Sequence, residues 1–145
     1  MNAIHHHASV TVEAAQAATA AALEHAKNLG IRVNAAVTDE AGVLVAFLRM
    51  PGAFLHSIDI AIDKAYTAAG FGFPTERWPA LLNADPALRT GMPQRPRLVT
   101  FGGGVPMYAG LERVGGIGVS GGSAEQDAEC ARAGIAAAGL SDAAE

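Results

Sequence analysis

Cysteine is nearly absent from this chain of 145 residues, which has only Cys130. A single thiol excludes an intrachain disulfide and argues against a thiolate metal cage. Aromatic residues are also scarce, at 6%, so we expect a core built mainly from Ala, Val, Ile and Leu. No apolar run approaches the roughly 20 residues of a membrane-spanning helix, and the N-terminus does not have the pattern of a signal peptide. These absences predict a cytoplasmic protein.

Positive charge is in short supply as well. Ten Lys and Arg stand against 14 Asp and Glu, which gives a formal net charge of -4. Such a chain has no basic footprint for nucleic acid. The P-loop, the G-x-S-x-G elbow and the H-x-E with C-x-x-C pattern are all missing, which disfavours standard kinase, hydrolase and deaminase chemistry.

The patterns that are present predict one domain over residues 9–140, with flexible termini at 1–8 and 141–145. Helices are predicted at 9–29, 58–69, 76–83 and 124–138. Strands are predicted at 33–38, 43–49, 98–101, 105–109 and 112–119. Because these strands are joined mostly as hairpins, we expect an α/β (α+β) fold, with a five-stranded antiparallel sheet and helices packed against it.

Lys64 occupies an unusual place for a lysine. Its neighbours one helical turn away are Ile, Ala, Thr and Ala, so it lies on an apolar face. A buried lysine either meets an anion or has a lowered pKa. A structural ion pair with Asp39 or Asp127 would satisfy it. Alternatively, Lys64 meets the anion or carbonyl of a ligand, or acts as an amine base.

A glycine-rich passage at 115–123 leads into the start of the last helix, where S-x-x-Q at 123–126 forms a capping box. Successive backbone N–H groups at such a junction make an anion-binding concavity. The glycines alternatively serve only a bulge and a tight turn. The G-x-G-x-x-G at 116–121 does not indicate NAD, because the chain ends before the parallel strand that a dinucleotide fold requires.

The segment 70–97 holds five of the seven prolines and the only tryptophan. Long loops inside a small domain are usually functional or partly disordered. The segment forms either a basic lid over an anionic ligand or a solvated surface that carries Arg77, Arg89, Arg95 and Arg97. The three glycines at 102–104 indicate a hairpin turn or a close approach of the backbone to a ligand.

Several segments together resemble one family. They are A-V-T-D at 36–39 with Gly42, L-V-A-F-L-R-M at 44–50, S-I-D-I-A at 57–61, K-A-Y-T-A at 64–68, F-G-F-P-T at 71–75, G-G-V-P at 103–106, G-I-G-V-S-G-G-S at 116–123 and E-Q-D at 125–127. The chain is similar to the GlcG/HbpS-like family (DUF336, haem-degrading), also met as the C-terminal domain of PduO-type proteins. The similarity covers about residues 9–139.

The resemblance implies a profilin-like fold and self-association into dimers or larger assemblies, up to octamers. It also implies haem as a ligand, because several members of the family bind it. A histidine near the N-terminal helix would ligate the iron, here His25 or the run at 5–7. The shared positions that would frame a pocket are Asp39, Arg49, Lys64, Thr67, Thr75, Ser120, Gly121, Gly122 and Asp127.

Two functions follow from these residues. The first is a protein that binds a small molecule, haem or a related tetrapyrrole, with Arg49 and Lys64 on the propionates. The alternative is a lyase, isomerase or hydratase that acts on a small oxygenated or carboxylate metabolite. Lys64 would then be the base or anion anchor, Asp39 or Asp127 would orient it, and the Gly121 and Gly122 amides would hold an oxyanion. An oligomeric scaffold without a ligand is the third reading. None of the three involves a nucleic acid or a membrane.

Overall fold

The computed structural model describes all residues from 1 to 145. Its helices are α1 (Val12–Asn28), α2 (Ser57–Phe71), α3 (Trp78–Ala84), α4 (Pro86–Gly91) and α5 (Ala124–Ala137). Its strands are β1 (Asn34–Asp39), β2 (Leu44–Arg49), β3 (Gly104–Ala109) and β4 (Glu112–Ser120). None of the helices combines the length and the apolar character needed to cross a bilayer.

The four strands form one antiparallel sheet in the order β2-β1-β4-β3. Alternate residues of β4 point to opposite faces. Ile117 and Val119 pack in the main core with α1 and α5, whereas Gly116 and Gly118 lie against α2. A Cβ on Gly118 would come within 2.0 Å of the Ala61 carbonyl oxygen. The glycines of β4 therefore let α2 approach the sheet closely, and the result is three layers with the sheet in the middle.

The ends of the helices show how well local signals predicted the fold. Thr11 caps α1 with a 3.1 Å bond from the Ala14 amide, and the capping box of α5 forms as predicted. Helix α2 differs from the prediction. It has no side-chain cap, and it ends at Gly72 with φ of 80°. The helix predicted at 58–69 therefore begins one residue earlier and ends two residues later.

The mixed α+β class with an antiparallel sheet is confirmed, but the predicted number of five strands is wrong. The missing strand is the one expected at 98–101. There the Val99 amide donates to the side-chain oxygen of Thr67 at 3.1 Å, and the Thr67 hydroxyl donates to the Arg97 carbonyl at 3.0 Å. Because a side chain of α2 takes these backbone groups, the segment does not pair in the sheet, which β3 enters only at Gly104.

The termini and the proline-rich segment complete the description. Residues 1–7 have no regular structure and are exposed. The C-terminal tail lies along β3, where the backbone groups of Ser141 and Tyr108 exchange two hydrogen bonds of 2.8 and 2.9 Å. The proline-rich segment contains the predicted short helix, α3, and a second one, α4, which begins at Pro86 and is capped by Asp85.

Candidate functional site

Lys64 ends in a buried ion pair. Its Nζ donates to Asp127 Oδ2 at 3.0 Å and to the Val119 carbonyl at 2.8 Å. Only 1% of Lys64 and 2% of Asp127 is exposed. Lys64 belongs to α2 on one face of the sheet, and Asp127 belongs to the first turn of α5 on the other. The pair therefore joins the two helical layers across the end of β4.

Two glycines make this crossing sterically feasible. A Cβ on Gly103, whose φ is 125°, would lie 2.5 Å from Lys64 Nζ and 2.6 Å from the Val119 carbonyl oxygen. A Cβ on Gly118 would lie 2.8 Å from Lys64 Cβ. Glycine is the residue that leaves room for a close neighbour and accepts a positive φ. The close approach indicated by the glycines at 102–104 is thus made to a lysine of the same chain.

The charges of Lys64 and Asp127 are balanced by each other and by groups around them, out of contact with solvent. Burial lowers the pKa of Lys64, and the negative charge of Asp127 opposes that shift. The other oxygen of Asp127, Oδ1, accepts a hydrogen bond from the Gly122 amide at 2.8 Å. The ring of Phe101 lies over the amine, with its centroid 5.2 Å from Nζ. Both charges are therefore satisfied by groups of this chain.

Two backbone amides before α5 are also taken by internal acceptors. Gly122 donates to Asp127, and the Ser123 amide donates to Gln126 Oε1 at 3.0 Å. Gly121, with φ of 147°, packs so tightly that a Cβ there would lie 2.2 Å from the Arg32 carbonyl oxygen. The glycine-rich passage thus forms a tight turn whose concavity is filled by the carboxylate of Asp127.

Other predicted residues lie at various distances from this pair. Thr75 is buried beside it and accepts a 2.9 Å bond from the Gly104 amide, at the start of β3. Ser120 is buried at the end of β4 and pairs with Asn34. Arg49 lies on the edge strand β2, is exposed, and donates to the Ala53 carbonyl at 3.0 Å. The structure therefore groups Thr75 and Ser120 with the pair and separates Arg49 from it.

Asp39 lies at the other end of the sheet. Its Oδ1 accepts 2.9 Å bonds from the amides of Ala41 and Val43, which shapes the turn between β1 and β2. Asp39 pairs with Gly115, four residues from Val119 and so about 13 Å away along β4. Of the two carboxylates considered for Lys64, the structure brings only Asp127 to it.

His25 lies in the last turn of α1, in the outer helical layer. Its Nε2 is 2.5 Å from Glu129 Oε2 of α5, and a third of its side chain is exposed. A carboxylate that holds one ring nitrogen of a histidine fixes the orientation of the ring and leaves the other nitrogen free, as is common for metal-ligating histidines. Helix α1 packs on the sheet face opposite α2, so His25 is remote from the side of the sheet on which α2 lies.

A cavity of about 350 Å³ lies on the α2 side of the sheet. The sequence did not predict this cavity. It is enclosed by the second half of α2, the turn between β1 and β2, and the loop that follows α4. The residues that line it are Ala41, Gly42, Tyr66, Thr67, Gly70, Phe71, Met92, Arg95, Pro96 and Leu98. Of the predicted site residues, only Thr67 lines it. The cluster of arginines at 77–97 was the one sequence signal that pointed to this region.

Fold and geometry together define a small α+β sandwich domain with a closed ion pair and a separate open cavity. The chain belongs to the HbpS-like family, because the family model described as "Haem degrading protein HbpS-like" matches residues 10–136. The resemblance predicted from the sequence is thereby confirmed.

Two relatives are similar to this chain over most of its length. A protein of 15.0 kDa from the dhaT-dhaS intergenic region of Citrobacter freundii is 33% identical over 128 residues, which cover 88% of this chain and 90% of that protein. The corrinoid adenosyltransferase PduO of Salmonella typhimurium is 36% identical over 121 residues, which cover 82% of this chain. The aligned region covers only 36% of PduO, so this chain matches one part of that enzyme.

Solved structures have the same fold. The complex of PduOC with haem superposes with a TM-score of 0.85 at 30% identity, covering 93% of this chain and 99% of that one. HbpS gives a TM-score of 0.84 at 35% identity, covering 92% and 93%. The ORFY protein of Klebsiella pneumoniae gives 0.88 at 29% identity, covering 96% and 97%.

Proposed function

We propose that this protein binds haem or a related tetrapyrrole. The observation that carries the proposal is the near-complete superposition on PduOC, which is a complex with haem. The family description, which names a haem-degrading protein, points to the same ligand. The name of PduO, a corrinoid adenosyltransferase, concerns another tetrapyrrole-derived cofactor and supports the same ligand class.

The donor set of this chain fits haem. His25 is half-buried, and its ring is held by Glu129 through Nε2, so it is a histidine oriented by a carboxylate, as metal-ligating histidines commonly are. When bound, haem supplies an iron centre suited to electron transfer or oxygen chemistry. Lys64 has no open side from which to reach a propionate, because Asp127 and Val119 occupy its amine. The proposal therefore leaves out Lys64. It does not place Arg49 on the same haem as His25, because Arg49 shares the side of β2 with Phe47, which faces α2.

Titration with haemin tests the proposal. We expect the Soret band to shift when haemin is added to the wild type, and His25→Ala to weaken or change that shift. His56→Ala is the matched control, since His56 is also exposed at a helix end but has no carboxylate partner. If the wild type gives no Soret shift, haem binding is wrong. If His25→Ala behaves like the wild type, the iron ligand lies elsewhere.

An enzyme that acts on a small carboxylate metabolite is the second candidate. The specific observation in its favour is a second cavity of about 440 Å³, whose lining includes Phe101, Gly102 and Arg132. Phe101 also covers the amine of Lys64, so this ring is what separates the amine from that cavity. In this proposal Lys64 and Asp127 are the catalytic pair, which requires the ring of Phe101 to move aside so that substrate in the cavity reaches the amine. Asp39 contributes nothing to it, because it lies at the other end of the sheet.

Self-association accompanies either function in this proposal. The edge strand β2 and the loop after it expose large apolar side chains, which in a soluble monomer are normally few and scattered. Leu55 is 75% exposed, Phe54 is 68% exposed, and Val43 before β2 is 61% exposed. Such a surface suits a contact with a second copy of the chain. The number of copies stays a prediction.

A further inference from the structure

We propose that the cavity beside α2 is a binding site for a flat organic carboxylate. This site lies on the opposite face of the sheet from His25, so it is distinct from the histidine that we propose as an iron ligand. It is not part of the closed Lys64–Asp127 pair either, because neither residue lines it.

The walls of the cavity suit a flat apolar body. Tyr66 and Phe71 contribute aromatic rings, and Pro96 and Leu98 contribute aliphatic surface. Aromatic rings stack favourably on flat ligands. The volume of about 350 Å³ is at the lower end of the range for small-molecule sites. A one- or two-ring ligand therefore fits inside, whereas only one edge of a macrocycle does.

The charge of the cavity suits one carboxylate. Arg95 is the only charged residue among those that line it. The guanidinium of Arg95 has neither an ion pair nor a hydrogen bond with another residue of the chain. The neighbouring Arg97 is different, because it is neutralised by Asp63 at 2.9 Å. A free guanidinium at an apolar wall is a good partner for a carboxylate, which it binds through two parallel hydrogen bonds.

The loop that carries Arg95 is held in an unfavourable backbone conformation. Arg97 is the only non-glycine residue with a positive φ, at 65°. Three contacts hold it there: the ion pair with Asp63, the ring of Tyr66 at 3.8 Å, and the Thr67 hydroxyl on its carbonyl. Such strained residues concentrate at ligand sites, where the surrounding structure fixes them. Here the fixed loop positions the wall of the cavity before any ligand arrives.

Two sources supply this chemistry. One is a small free aromatic carboxylate, and the other is the propionate edge of a tetrapyrrole. The second source rests on the proposed ligand but not on His25, because the macrocycle would then be held at this cavity, on the face of the sheet opposite His25. The first source is independent of the proposed function. The experiment therefore uses one probe for each: 2-naphthoate, followed by calorimetry, and haemin, followed by its Soret band.

Two variants of the cavity have matched controls outside it. Arg95→Gln removes the cation, and Arg89→Gln, on α4, is its control. Gly70→Leu adds a side chain at the cavity wall, where a Cβ meets no atom within 4 Å, so the helix tolerates it. Gly91→Leu is its control, because Gly91 is a helical glycine with equally open surroundings that does not line the cavity.

We expect wild type and both controls to bind 2-naphthoate. Affinity should fall about tenfold or more in Arg95→Gln, as expected for loss of a charged hydrogen-bonded pair, and binding should be lost in Gly70→Leu. No binding by the wild type, or full binding by both cavity variants, would overturn the inference. A Soret shift that Arg95→Gln and Gly70→Leu leave unchanged, with no naphthoate binding by the wild type, leaves haem binding intact and removes the cavity site. Naphthoate binding without a Soret shift supports the cavity site and shows that haem binding is wrong.

Discussion

Helix α2 borders two neighbourhoods that treat a positive charge in opposite ways. At Lys64 the amine is buried to 99% and is paired with Asp127. One to two turns later, Thr67 and Gly70 border an open cavity in which the guanidinium of Arg95 has no partner. Burying an unpaired charge is strongly unfavourable, so the chain itself must supply a partner of opposite charge when it folds. A charge at the rim of a cavity stays solvated and can wait for a ligand. The unpartnered cation is therefore the better pointer to a binding site.

The largest effect in this comparison is expected from breaking the closed pair. Lys64→Met leaves the carboxylate of Asp127 buried without its counter-ion. Removal of one partner of a buried ion pair costs about 3–5 kcal/mol, which is a large share of the stability of a small domain, about 5–15 kcal/mol. Urea denaturation of the variant and the wild type measures the difference in the free energy of unfolding.

The double variant Lys64→Met/Asp127→Leu is the control for this prediction. Replacing both charges by apolar groups of similar size is often neutral or stabilising. We expect the double variant to recover part of the lost stability, because Asp127→Leu also leaves the Gly122 amide without its acceptor. The single variant Asp127→Leu completes the cycle. If the losses of the two single variants add up to the loss of the double variant, the two residues are not coupled, against the direct contact of 3.0 Å.

A smaller effect is expected at the open cavity. Thr67→Val keeps the shape of the side chain but removes the hydroxyl that accepts from the Val99 amide and donates to the Arg97 carbonyl. An unpaired buried amide costs about 1–3 kcal/mol. The urea midpoint should fall accordingly, and binding of 2-naphthoate should weaken as the cavity wall loosens.

Thr19→Val is the matched control. Thr19 is also a buried helical threonine, but its hydroxyl bonds only to the carbonyls of Ala15 and Gln16 in its own helix. Those carbonyls keep their helical partners, so we expect little change in stability. If both variants lose the same stability, the hydroxyl of Thr67 has no special role in holding the loop.

The sequence could predict the features that depend on neighbouring residues, but not those that depend on contacts between distant parts of the chain. Helix ends depend on neighbouring residues, so the Ser123–Gln126 capping box was found from spacing alone. The burial of Lys64 followed from the apolar face of its helix. Its partner did not, because the choice between Asp39 and Asp127 depends on the order of strands in the sheet.

Long-range contacts account for the errors. The expected strand at 98–101 has strand-like residues, but a hydroxyl from α2 takes its backbone donor, and no local pattern reveals that. The cavity is made of three segments far apart in the chain, and the sequence offered Arg95 only as one of four arginines in either a basic lid or a solvated surface. What marks it is the absence of a partner, which only coordinates can show.

The smallest expected effect is the pH dependence of stability caused by Cys130, which tests whether water is excluded from the region around the Lys64–Asp127 pair. Cys130 lies one turn after Asp127 and is fully buried. Burial, with a smaller contribution from the charge of Asp127, raises the pKa of its thiol from 9.0 to about 12. Between these values the unfolded chain loses the proton while the folded chain keeps it. Stability should therefore fall as the pH rises above 9, by about 1 kcal/mol at pH 10.

Cys130→Ala removes this proton and should remove that part of the loss. Urea midpoints of both proteins at pH 8, 9 and 10 measure it, because other titrating groups are common to the two and cancel in the difference. The Ala variant pays a cost for the smaller side chain that does not depend on pH. The two curves should therefore converge as the pH rises. Parallel curves would mean that the thiol ionises equally in both states, and that water reaches the region beside Asp127 that the structure shows as closed.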